Sequence, residues 1–257
     1  MELTILGSGT SVPHPQRASS GYWIETASGS LLLDAGPDAG RRMAQEHLDW
    51  AGLDAIWVSH FHLDHVGGLA PLLFSTKHAP HTQSRRKPLA IFGGYGLQKL
   101  LRAFDEAYDY ELMRQPFPVE VREVAPGADF AILPGLRAQT LSTPHTRESL
   151  AVRLTDGRGA TLVYTADTGY TEALGRFARG ADIFLVECSF YRDKPARGHL
   201  ELAEAMDLAR RAEPRRTVLT HLYPEWDGIS VAVEAGKLWP GETIEARDGL
   251  QLKVAKG

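Results

Sequence analysis

Residues 59–69 read SHFHLDHVGGL, placing three histidines and one aspartate within positions 60–65. Packing alone does not explain that density, because polar, ionisable side chains are seldom gathered in a core without partners. Zinc and similar borderline cations favour imidazole nitrogen, with carboxylate oxygen as a second choice. Side chains alternate along an extended segment, so His60 and His62 can face the same way and bind one ion. Asp64 and His65 follow where the chain must turn toward a helix at 67, and they can reach a second ion beside the first. Gly67 and Gly68 are expected to give that turn its conformational freedom.

Four ligands in six residues do not complete two coordination spheres. Three isolated candidates each stand just after an apolar strand: His145 after QTLSTP, Asp167 after TLVYTA and His221 after TVLT. Polar residues at the same end of several strands would build one site at the edge of the sheets.

The surrounding pattern is consistent with such an edge. Working outward, LTIL (3–6), GYWIET (21–26), SLLLDAG (30–36), DAIWVS (54–59) and LAIFGG (89–94) read as strands, the second and third as a hairpin. Residues 37–48, 67–76 and 95–108 have helical patterns, and 77–88 reads as an exposed basic loop. From 117 to 165 strands dominate, followed by a helix at 170–178, a buried strand at 181–190, an amphipathic helix at 200–212, a strand at 217–222, a helix near 229–237 and a closing hairpin at 242–254. Each half runs strands first and helices after. This order predicts one domain, residues 1–257, with two β-rich sheets faced by helices on the outside.

Composition narrows the function classes. The chain of 257 residues is 43% hydrophobic and 23% charged, ordinary for a globular protein, and its formal net charge of −4 provides no global basic field for a nucleic acid. Its single cysteine, Cys188, rules out an internal disulfide or a cysteine zinc cage and reads as a packing residue. MELTILGSGT does not read as a signal peptide, and no run approaches the roughly 18 apolar residues of a membrane span, so a cytoplasmic protein without a membrane partner is expected.

HxHxDH at 60–65, followed in order by His145, Asp167 and His221, resembles the metallo-β-lactamase superfamily, and the likeness covers nearly the whole chain. It implies an αββα sandwich of two mixed β-sheets with two divalent metal ions, zinc first and manganese second. By this resemblance His60, His62 and His145 hold one ion, Asp64, His65 and His221 the other, and Asp167 bridges them. Asp64 would also lie beside the shared water and accept its proton or orient it. Within the superfamily, LGSGTSVPHPQRASSGYWIE (6–25) resembles the start of ribonuclease Z, and DIFLVECSF (182–190) with GHLELAEAMDLA (198–209) resembles its later motif. That motif pairs Glu187 with His199, a candidate proton donor to the leaving group.

Two departures shape the substrate expectation. Asp167 comes only 22 positions after His145, an interval long enough for a hairpin but not for the long arm of tRNA-processing ribonuclease Z. The nearer likeness is the arm-less phosphonate-pathway cyclic phosphodiesterase, whose extra cysteine-containing zinc site a single cysteine cannot reproduce. A small cyclic or nucleotide phosphodiester is therefore the expected substrate, with RNA ends less favoured and a lactone or carboxyl ester as the alternative; homodimers are common among such proteins. Gly7, Ser8 and Gly9 are candidates for a phosphate cradle, and the QSRRK segment (83–87) for a phosphate contact. His14, His47, His78 and His81 read as surface residues, with His14 on a loop bordering the metals.

Overall fold

The computed structural model describes residues 1–256. β1 (Glu2–Gly7), β2 (Gly21–Thr26), β3 (Gly29–Leu33), β4 (Ala55–Val58), β5 (Leu89–Gly93) and β6 (Val119–Glu123) follow one another across the first sheet. β7 (Asp129–Leu133), β8 (Leu136–Ser142), β9 (Leu150–Asp156), β10 (Thr161–Tyr164), β11 (Ile183–Glu187), β12 (Arg216–Thr220) and β13 (Thr243–Glu245) build the second. β14 (Gln251–Lys253) returns to the first sheet beside β1, so each sheet has seven strands and mixed directions.

Strand periodicity sorts the apolar side chains into layers. In β4, Ala55 and Trp57 face the space between the sheets, while Ile56 and Val58 face outward. In β11, Ile183 and Leu185 point between the sheets, and Phe184 and Val186 point to the other side. Both faces of these strands are buried, which is why they read as unbroken apolar runs. The outer face of the first sheet is covered by α1 (Ala39–Gln45), α3 (Leu69–His78) and α4 (Leu97–Ala107), with the short α2 (Leu63–Val66) at its edge. α5 (Glu172–Phe177), α6 (Leu202–Ala212) and α7 (Val231–Leu238) cover the second. The result is the αββα sandwich. Among the described residues no helix is long and apolar enough to cross a membrane.

The closing hairpin expected at 242–254 does not form. β13 pairs in parallel with β12, Val218 opposite Ile244, whereas β14 pairs antiparallel with β1, Leu3 opposite Leu252. Each sheet has an edge strand whose backbone groups need partners, and the two C-terminal strands cover one edge apiece. An alternating pattern specifies a strand but not whether its partner is local.

The turn after the histidine cluster also differs from expectation. The helical region begins at Leu63, so Asp64 and His65 sit in α2, and the 67–76 pattern belongs to α3. Gly67 and Gly68 have ordinary helical torsions, φ −62° and −86°. Glycine is required for space instead: a Cβ on Gly68 would lie 2.1 Å from the Gly36 carbonyl oxygen. Gly68→Ala is expected to cost about 1–3 kcal/mol, as overpacking does, measured by urea or thermal unfolding; unchanged stability would show that the α3 entry yields freely.

Two candidate phosphate contacts are already engaged in the fold. Ser8 donates through its amide and hydroxyl to Asp248 Oδ1 at 3.0 and 2.8 Å, and the Gly9 amide bonds the Ala18 carbonyl at 2.8 Å, so this loop has no open cradle. Arg85 donates to the carbonyls of Ala51, Leu53, Lys87 and Pro88 and packs 4.2 Å over the Phe117 ring. It secures the 77–88 segment, which holds the end of α3 and a 3₁₀ turn at Pro80–Thr82 rather than a free loop. His47, His78 and His81 are exposed, whereas His14 binds Asp227 at 3.0 Å.

Candidate metal centre

Strand direction gathers the site. β8, β10, β11 and β12 all run the same way, and His145, Asp167, Glu187 and His221 lie at or just beyond their C-terminal ends. β4 brings its own end to the same edge, with His60 and His62 in the extended segment after it and Asp64 and His65 on α2. The seven predicted ligands converge as two groups sharing Asp167: His60, His62, His145 and Asp167, and Asp64, His65, Asp167 and His221. Within each group the ligand atoms lie within 4.8 Å of one another.

In the first group His62 Nδ1 lies 3.1 Å from His60 Nε2 and 3.0 Å from His145 Nε2, and Asp167 Oδ2 is 3.7 Å from both Nε2 atoms. In the second, Asp167 Oδ1 lies 3.2 Å from His65 Nε2 and 3.3 Å from His221 Nε2, while Asp64 Oδ2 is 3.3 Å from His221 Nε2. The two oxygens of Asp167 thus face different groups.

The outer nitrogens are held by residues that the sequence did not single out. Asp34, fully buried at the end of β3, accepts from the Ser59 amide and hydroxyl, His65 Nδ1 and the Tyr164 hydroxyl, each at 2.7 Å. Ser59 Oγ lies 3.1 Å from His60 Nδ1 and, having donated to Asp34, accepts the imidazole proton. Ser189 Oγ repeats the arrangement, donating to Glu187 Oε2 at 2.6 Å and lying 3.0 Å from His221 Nδ1. His145 Nδ1 donates to the Gly198 carbonyl at 2.8 Å. These acceptors place the proton of four histidines on Nδ1 and turn Nε2 inward. The one signal for Asp34 was an acid ending the apolar run SLLL.

Backbone strain marks the same edge. Asp34, Ala166 and His221 adopt left-handed torsions, φ 58°, 54° and 56°. Each such non-glycine residue costs roughly 1–2 kcal/mol, and such strain collects where a side chain must be aimed.

The electrostatics suit cations. Burial, reinforced by the neighbouring His65, pushes the His60 pKa down to about 2, and burial also lowers His145; both are neutral, the form that donates a lone pair. Burial opposes ionisation of Asp64, but the His221 hydrogen bond and nearby imidazoles outweigh it and bring it to about 2. Burial likewise opposes the Asp167 charge, which His221 and His65 nevertheless hold well below the usual carboxylate range. His65 is raised well above its ordinary value, since Asp167 and Asp34 overcome its burial. His65 Nε2 and Asp167 Oδ1 are buried and lack the alignment of a hydrogen bond, so neither has a partner despite their 3.2 Å separation. A cation between them would satisfy both, and the nitrogen-rich donor set suits borderline divalent ions.

His199 stands beside the second group. Its ring stacks on His221 with centroids 5.5 Å apart, and Nδ1 lies 3.1 Å from Glu187 Oε1. Glu187 is almost fully buried and also accepts from the amides of Thr168, Ser189 and Leu200. Burial works against a charged His199, but the hydrogen bond and charge of Glu187, with Asp167 and Asp64, raise its pKa. His199 lies three residues before α6 rather than on its first turn; Glu201 caps the helix in a capping box with Glu204. Cys188 is fully buried, and burial pushes its thiol well up, in keeping with a packing role.

Residues 30–222 match the profile of the β-lactamase superfamily domain. The chain belongs to that superfamily. Among superfamily relatives, the probable metallo-hydrolase YhfI of Bacillus subtilis is 29% identical over 252 residues, covering 97% of this chain and 98% of its own. Its crystal structure superposes with a TM-score of 0.83 at 27% identity, covering 98% of both chains. Ribonuclease Z of Mycobacterium bovis is 25% identical over 274 residues, 95% of this chain and 96% of that one. A diphosphatase from the PhnP family shares the fold, with a TM-score of 0.74 at 22% identity over 99% of this chain and 98% of its own.

Proposed function

We propose that this protein is a metal-dependent phosphodiesterase acting on small cyclic or nucleotide diesters. The observation that carries the reading is the placement of the Glu187–His199 pair beside the two-group cluster around Asp167. A hydrolase needs its nucleophile activated and its leaving group protonated, and this edge holds residues suited to both tasks. His60, His62 and His145 would hold one divalent ion and Asp64, His65 and His221 the other, with Asp167 between them; zinc is the first expectation and manganese the second. When bound, such ions supply Lewis acidity, activate water at neutral pH and offset charge on the phosphoryl group.

The chain's own groups then divide the work. Asp64, with Oδ2 directed at His221, orients the attacking water and accepts its proton. His199 delivers a proton to the departing alkoxide, with Glu187 holding Nδ1 so that the other nitrogen serves the cleft. Asp34 and the two serines keep the imidazoles in register, which maintains reacting distances within the narrow range catalysis needs.

The surroundings of the site support the small-substrate reading. The interval between His145 and Asp167 is occupied by the antiparallel pair β9 and β10, leaving no arm there for a tRNA. The metal-loaded protein is expected to turn over bis(p-nitrophenyl) phosphate and to process the 3′ end of a precursor tRNA poorly or not at all. Efficient tRNA processing at physiological salt would overturn the small-substrate reading. Hydrolysis of a lactone panel without any diester cleavage would replace it with an ester hydrolase.

A further inference from the structure

The candidate centre opens beside His62, and a second concavity lies along the same sheet edge. His62 is exposed and Leu63 next to it is 70% exposed, so a substrate can approach from this face. A cavity of about 310 Å³ lies on the same edge, with Gly94, Tyr95, Gly96, Arg147 and Glu148 in its lining. β5 runs parallel to β4 with Gly93 opposite Val58, so Gly94 leaves its strand roughly 5 Å, one strand spacing, from the segment leading to His60. Phe61, between His60 and His62, packs on Gly96, where an added Cβ would come within 3.1 Å of the ring. On the other wall Arg147 and Glu148 follow His145 closely in the chain, and the Glu148 carbonyl would lie 2.4 Å from a Cβ on Gly94. Two of its lining residues are therefore chain neighbours of the candidate ligand His145, and a third, Gly96, packs on Phe61, which stands between His60 and His62.

Its lining has a definite chemistry. Tyr95 presents a ring that is 66% exposed. The Arg147 and Glu148 side chains form no ion pair or hydrogen bond among the described residues, and Arg147 is exposed. The start of α4 does not serve as an anion site, because Glu123 Oε1 already accepts from the Gly96 and Gln98 amides at 3.0 and 3.1 Å. An open aromatic face, one free guanidinium and one free carboxylate match a planar base joined to a hydroxylated sugar and an anion. The volume stands at the small end of the roughly 300–1,000 Å³ typical of ligand pockets, suited to one nucleoside rather than a folded RNA.

We propose that this cavity is the subsite for the nucleoside half of a nucleotide diester. Tyr95 stacks on the base, Arg147 binds the anionic or acceptor groups, and Glu148 accepts from a sugar or base N–H or O–H. The assignment rests on the phosphodiesterase reading for its place in catalysis but not for the binding itself.

The test compares two esters with the same leaving group on the metal-loaded, full-length protein: the p-nitrophenyl ester of thymidine 5′-monophosphate and methyl p-nitrophenyl phosphate. Tyr95→Ala and Arg147→Ala should each lower the ratio of kcat/KM between the nucleoside and methyl esters by about tenfold, within the range of one base–aromatic stack. Tyr95→Phe, which keeps the ring, should restore the ratio; a ratio that none of the variants moves would overturn the proposal. Calorimetric titration with thymidine 5′-monophosphate provides a readout that needs no turnover. Wild type should bind it and Tyr95→Ala should bind about tenfold more weakly; no binding by wild type, or equal binding by both, overturns the subsite. If neither ester is cleaved while this difference in binding persists, the phosphodiesterase reading fails and the nucleotide pocket stands.

Discussion

His62→Ala and Asp167→Ala are each expected to yield protein that folds but is short of bound metal, with kcat/KM on a small diester reduced about 10³-fold or more. That is the order expected when several kcal/mol of metal-derived transition-state stabilisation is withdrawn. The two variants probe the cluster differently. His62 is exposed, and its Nδ1 lies within 3.1 Å of both His60 and His145 Nε2, so its removal opens the first group with little disturbance to the core. Asp167 is buried, with one oxygen toward each group, so its loss should deplete both. Elemental analysis and circular dichroism on the same preparations check the result, and Asp167→Asn provides a near-isosteric control for folding. Retention of two metals per chain in either alanine variant would show that the ligand assignment is wrong.

The second large effect is expected at His199. His199→Ala should keep both metals, because the residue lies outside the two ligand groups that share Asp167, yet lose about 10²-fold in kcat on an alkyl diester, the low end of general acid catalysis. The loss should shrink on a p-nitrophenyl ester, whose leaving group hardly needs the proton. This contrast separates proton delivery from packing. His199 stacks on His221 and shares the Glu187–Ser189 network, so a merely structural role would slow both substrates equally. No loss on either substrate would remove His199 from the mechanism.

Much of the candidate site could be read from the chain because its candidate ligands follow a local rule. His60, His62, Asp64 and His65 are contiguous, and His145, Asp167 and His221 each interrupt the sequence directly after an apolar strand. A polar residue that ends a buried run has few places to go except the sheet edge. Asp34 follows the same rule after SLLL, but its function lies in four donors drawn from Ser59, His65 and Tyr164, none of which the chain places beside it. Ser8 shows the converse: a glycine-flanked amide with the look of an anion cradle is bonded to Asp248, 240 residues away.

Residue order and periodicity by themselves pointed to the apolar layers, to the seven candidate donors that the fold brings together and to the short interval before Asp167. These features are local, since strand alternation, helical spacing and interval length need no knowledge of a distant partner. Only the tertiary structure decided that β13 and β14 part to different sheets, that Gly68 serves close approach rather than torsional freedom, and which imidazole nitrogen faces inward at each position. Edge pairing, steric clearance and tautomer are each set by an atom remote in sequence and a few ångströms away in space, and that proximity exists only once the two sheets have closed on each other.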